Sequence, residues 1–221
     1  MTAIIPTCTT AVSTVPEWHR ALFTGKEDLL ASPAAWSPGA LNLAQGIAMQ
    51  VHIQLVHAEY TRLLIDLSRH PDDPARWSEH ALQLTEDQRR KLDERQKSGF
   101  LNALDTRITL PLQRGEKTIH LLVDTPALPP DIALRFHHSP AHPEEKAWID
   151  DWSEKIRARL PGIGIEVIGE STHDLHSHLR QTHPGLHSIG LDANSSCFLE
   201  NTPLRWTDLR KTLLTTLPRN P

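Results

Sequence analysis

The chain has 221 residues and a formal net charge of −4. That length suits one α/β domain, here 1–221, with a core large enough to fold without disulfide or metal staples. The mild acidity, with basic residues interspersed among acidic ones, gives no reason to expect nucleic acid as a partner. Two cysteines, Cys8 and Cys197, exclude a secreted disulfide framework and any Cys-x-x-Cys site. No apolar run nears the ~20 residues of a membrane span, and Met1–Thr7 lacks the basic and apolar regions of a signal peptide. The expectation is a cytoplasmic protein with no membrane contact.

Short apolar runs alternate with longer amphipathic ones, the pattern of an α/β layered fold. Ala3–Pro6 reads as a first strand, followed by a polar loop to Pro16. Pro38 precedes a helix whose apolar stripe is Leu41, Leu43, Ala44, Ile47 and Ala48. His52–His57 and Leu63–Leu67 read as short strands. Thr85-x-x-Gln88 is a capping-box pattern opening a long charged helix that carries Leu101, Leu104 and Ile108 on one face. Thr118–Val123 is the strongest strand, and Pro126–Pro130 is too proline-rich for anything but a loop. Ile132–Phe136 is a strand, and Pro143–Leu160 is a helix stopped by Pro161-Gly162. Ile163–Ile168, Leu186–Ala193 and Pro203–Leu217 then read as strand, strand and helix. No internal repeat or long linker divides the chain.

Four segments, in order, resemble the N-formylglutamate amidohydrolase family. Tyr60-Thr61-Arg62-Leu63-Leu64-Ile65-Asp66-Leu67-Ser68-Arg69 is similar to the family's S-R-L-L-V-D-L-N-R. Ala31–Ala40 resembles a stretch of the form S-H-R-G-W-D-P-G-A, Cys8–Pro16 sits where the family has C-E-H-G-G-N-x-V-P, and Ile189–Asn194 stands against I-E-L-E-V-N. His120–Thr125 falls where the family has a strand ending in H-S, and Asp131–Leu134 resembles D-I-G-L. The resemblance implies a three-layer αβα fold with a mixed central sheet, like the zinc carboxypeptidases, and a zinc-dependent hydrolysis of a linear amide.

A hydrolytic zinc needs about three ligands from His, Asp, Glu or Cys, plus a water. At the positions the family would use, this chain carries Thr9 and Thr10 in the first motif, Pro33 and Ser37 in the second, and Asp124 in place of the late histidine. One carboxylate does not retain zinc, so the expected cofactor is none. Asp192, at the family's catalytic carboxylate position, is then vestigial as a base, or an end-of-strand acid in a backbone or Arg contact. Arg62, Asp66 and Arg69 keep the pattern, and a guanidinium fork suits a carboxylate ligand. On a strand, Arg62, Leu64 and Asp66 would share a face, either binding such a ligand or joining a buried polar network.

Fourteen histidines raise the alternative of relocated metal ligands. The groups are His173, His176 and His178, followed by His183 and His187, and separately His137, His138 and His142. Neither has a standard ligand spacing. No phosphate-binding glycine loop and no G-x-S-x-G elbow is present, and Cys8 reads as a small buried residue with no evident base. Three readings compete. The first is a catalytically degenerate amidohydrolase-like protein that binds a carboxylate-bearing small molecule or a protein partner. The second is an active metal-dependent amidohydrolase acting on N-acyl amino acids. The third is a scaffold with a closed former active site.

Overall fold

Strands form where the apolar runs stand. In the computed structural model, which describes residues 2–169, 174–199 and 203–218, β1 is Thr2–Cys8, β2 Val56–His57, β3 Lys117–Asp124, β4 Leu134–His137, β5 Ile165–Ile168 and β6 Leu186–Ala193. They make one six-stranded sheet in the order β2-β1-β3-β6-β4-β5. Neighbours are parallel except β4 and β6, which run antiparallel with Leu134 opposite Ala193 and His137 opposite Gly190. The helices are α1 (Glu27–Ala31), α2 (Ala40–Gln50), α3 (Glu86–Gln96), α4 (Asn102–Gln113), α5 (Pro143–Arg159), α6 (Asp174–Thr182), α7 (Ser196–Leu199) and α8 (Pro203–Thr216).

Alternation along the strands divides the core between two faces. Ile4, Ile119, Leu121, Ile189 and Leu191 pack with α2, α5 and α8, where Trp148 and Trp152 meet edge to face with ring centroids 5.1 Å apart. Ile5, Val56 and Leu186 pack with Leu104 and Ile108 of α4 and Leu175 and Leu179 of α6. The expected αβα layering is therefore present. The capping box at Thr85 and Gln88 forms in both directions, but the long helix widens into a π turn over Lys97–Leu101 between α3 and α4. Asn194 holds the proline loop, donating from Nδ2 to the carbonyls of Leu128, Pro129 and Ile132.

Two strand expectations need correction. Of His52–His57, only Val56 and His57 pair with β1, because the chain is still turning at His52, which has φ of 56°. Residues 61–69 form turns with no strand. Leu64 enters a cluster with Phe23, Leu84 and Leu92, while the adjacent Ile65 and nearby Leu67 enter the cluster beneath β1. Leu63 packs against the same cluster as Leu64, and Leu64 N–H donates back to Thr61 O at 3.0 Å, so the stretch bends where a strand would alternate and would have set Arg62, Leu64 and Asp66 on one face.

β6 has β4 as its neighbour only from Gly190 onward, so the N–H and C=O of Ser188 would be left on an open, buried edge. Glu145 and Arg180 close it. Ser188 N donates to Glu145 Oε1 at 2.7 Å, and Arg180 Nη2 donates to Ser188 O at 2.5 Å. Arg180 forks onto both Glu145 oxygens at 2.9 Å, and Ser139 N supplies a fourth donor at 2.8 Å. Glu145 is fully buried. Removing one member of such a pair strands the other in a dry site. Arg180→Leu is expected to lower stability by about 3–5 kcal/mol, read as a shift in the urea midpoint.

Candidate functional site

The carboxyl ends of β1, β3 and β6 bring together the residues singled out from the first and fourth motifs. Asp124 and Asp192 are in register on neighbouring strands, and the row continues through Arg135 of β4 to Glu166 of β5. Arg135 turns to Glu166, with Nε 2.5 Å from Oε2. Asp192 is paired with His137, whose Nε2 lies 2.7 Å from Oδ2. Gly190 makes room for this ring, since a Cβ there would stand 3.0 Å from His137 Cδ2. Asp124 Oδ1 accepts from Thr10 Oγ1 and from Thr125 N, both at 2.7 Å. Ser37 is buried, and its N–H donates to Thr10 O at 2.9 Å. Asp124 and Asp192 are only 7% and 6% exposed. Their carboxylates are taken up by neighbouring side chains.

Below this level a second polar chain crosses the same face. His120 lies between Thr7 Oγ1 and Ser188 Oγ at 2.7 Å each, and His176 Nδ1 reaches the same Ser188 hydroxyl at 2.6 Å. His176 is thus held within the fold, away from His178, whose ring stacks edge-on against His70 with centroids 4.9 Å apart. His183 faces Asp105 at 3.2 Å. His173 lies outside the described residues.

The Arg62–Arg69 segment flanks the site as a brace. Arg62 donates from Nε to Ala34 O at 3.1 Å and from Nη2 to Pro33 O at 2.5 Å, tying the third motif to the second. Asp66 Oδ1 accepts from the N–H and hydroxyl of Ser68, at 3.0 and 2.6 Å. Arg69 reaches Asp73 at 3.2 Å and Asp66 at 3.8 Å.

Among the described residues, one group of His, Cys, Asp and Glu side chains brings three ligand atoms within 4.8 Å of one another: His142, Glu145 and His187. His142 immediately precedes α5, Glu145 lies three residues on, and His187 is the second residue of β6. Counting five residues from His187 to Asp192 at about 3.3 Å each, this group sits roughly 16 Å away, toward the amino end of the sheet. Sequence proximity had grouped His142 with His137 and His138, and His187 with the 173–178 cluster. The fold takes one from each and adds a buried acid that reads, in sequence, as an ordinary first-turn glutamate.

The sheet order and the flanking helices define a layered α/β fold with a mixed six-stranded sheet. Two solved structures make the likeness concrete. Gene product Atu2144 of Agrobacterium tumefaciens superposes with a TM-score of 0.71 at 18% identity, covering 97% of this chain and 90% of that one. An N-formylglutamate amidohydrolase from Ralstonia eutropha JMP134 superposes with a TM-score of 0.66 at 16% identity, covering 98% and 93%. No family model and no curated protein matches the sequence. No helix among the described residues is long and apolar enough to cross a membrane.

Burial pushes the Cys8 thiol up to about 12, the Asp124 carboxylate adding to the effect and hydrogen bonds from Thr10 opposing it. A thiol that stays protonated is a poor nucleophile, so Cys8 is expected to resist iodoacetamide at pH 8 in the native protein and to react after denaturation. The folded state keeps this proton while the unfolded chain releases it above about pH 9, the ordinary value. Stability should therefore fall as pH rises from 9 toward 12, and Cys8→Ala should flatten that slope in urea titrations.

Proposed function

We propose that this chain uses the amidohydrolase-like fold to bind and not to hydrolyse. The carrying observation is the pairing at the carboxyl end of the sheet, where Thr10 with Asp124 and His137 with Asp192 form buried contacts at 2.7 Å. The residues there do not fit a hydrolytic zinc. Thr10 and Ser37 offer neutral hydroxyls, and among the described residues Asp124, Asp192 and His137 do not converge as a three-residue ligand group. Without a metal to lower the pKa of a water and polarise the amide, both the nucleophile and the Lewis acid are missing. Asp192, engaged by His137, then serves the fold. With zinc supplied, N-formylglutamate and other N-acyl amino acids are expected to show no turnover above the protein-free rate. Turnover that Asp192→Asn abolishes would overturn this reading.

The ligand under this reading is a carboxylate-bearing small molecule at Arg62 and Arg69, or a protein partner. A carboxylate at Arg62 must share the guanidinium with the Pro33 and Ala34 carbonyls, so the affinity should be modest. Glutamate or succinate at millimolar concentration is expected to raise the thermal midpoint by mass action. Arg62→Lys, which loses the bidentate fork, should weaken that rise. No rise with either compound would remove the carboxylate and leave the protein partner.

A further inference from the structure

We propose that His142, Glu145 and His187 form a binding site for a divalent transition-metal ion of the zinc class, at the amino end of the sheet and separate from the Asp124–Asp192 end. Two imidazoles and one carboxylate are the donor types that such ions take, and their ligand atoms already lie within 4.8 Å of one another. Tetrahedral zinc, with bonds of about 2.0–2.2 Å, sets its donors about 3.3–3.6 Å apart. Small side-chain rotations close that gap. His187 Nδ1 is buried with no hydrogen-bond partner, the kind of orphaned atom that an ion or water explains. His142 and His187 are half-buried, which leaves a route from solvent and a coordination position for water.

Glu145 sets the character of the site. Each of its oxygens already accepts two hydrogen bonds, one from Arg180 and one from a backbone N–H. That fills the acceptor capacity of a carboxylate. An incoming ion must share Glu145 with Arg180, so the two imidazoles carry most of the bonding. Imidazole suits Zn, Ni and Cu, whereas Mg and Ca want oxygen-rich shells. The site should therefore take zinc and refuse magnesium and calcium. Arg180 becomes the competitor whose weakening tightens binding. The apoprotein folds on its own core, so the ion adds stability only by mass action.

The test is calorimetric titration of the untagged, chelator-treated full chain with zinc, and with magnesium and calcium in parallel. One saturable zinc equivalent is expected, with no heat from the other two ions. His142→Ala/His187→Ala should weaken zinc binding at least tenfold, while keeping the circular dichroism spectrum of the parent. Arg180→Lys, which keeps the charge but not the fork, should bind zinc more tightly than the parent. If the double variant misfolds, histidine modification of the parent by diethyl pyrocarbonate decides the matter: zinc should protect His142 and His187 selectively. Absent zinc binding, undiminished binding by the folded double variant, or unprotected His142 and His187 would each overturn the site. None of these readouts uses turnover, so the outcome is independent of whether the carboxyl end hydrolyses anything.

Discussion

The termination of β4 against the middle of β6 is the constraint around which this molecule is arranged. β6 is parallel to β3 over most of its length but has an antiparallel neighbour only for its last four residues. An unpaired N–H or C=O buried at that edge costs about 1–3 kcal/mol, and Ser188 presents one of each. The Glu145–Arg180 pair replaces the missing strand. It draws the start of α5 from one face and α6 from the other to the same point. Once α5 starts there, Trp148, Ile149 and Trp152 lie over the sheet, and His142 falls beside His187. The core on one face and the histidine–glutamate group both follow from closing one strand edge.

The opposite end shows what the mixed sheet does to a site. In parallel α/β sheets, ligands gather beyond the carboxyl ends of the strands. Here β4 enters antiparallel and carries His137 back along β6, over the space that Gly190 leaves. Any side chain at 190 would meet that ring, so the glycine and the imidazole beside Asp192 belong to one packing arrangement. Asp192 receives as its partner a residue 55 positions away.

How much of this could be read from sequence depended on whether the signal was local. β3, β6 and α5 were legible almost to the residue, because apolar runs bounded by Pro and Gly are local signals. The proline loop and the capping box at Thr85 were legible for the same reason. The turn at residues 61–69 was not: Leu63–Leu67 is as apolar as a strand, and only the tertiary structure sends the adjacent Leu63 and Leu64 to one cluster, across the bend where Leu64 N–H donates to Thr61 O. Thr10, Asp124 and Asp192 fall at one end of the sheet, with Thr10 on Asp124 and Asp124 in register with Asp192. Their partners were not foreseen, since His137 reaches Asp192 only through an antiparallel strand that periodicity cannot orient.

The same distinction bears on the Arg62–Arg69 segment, where the sequence resemblance is strongest. Arg62 closes the 33–35 turn through two carbonyls, Asp66 builds the turn at Ser68, and Asp66 N–H donates to Arg76 O at 2.8 Å. Leu64, Ile65 and Leu67 fill two cores from one stretch of chain. Each of these tasks needs the residue type found there, whatever chemistry the neighbouring loop performs. Thr10 and Ser37, in contrast, occupy positions where the fold asks only for a small polar group: Thr10 pairs with one carboxylate, and Ser37 uses its backbone. Resemblance concentrated in a brace is therefore a statement about fold, and chemistry must be argued from the donor atoms at the site.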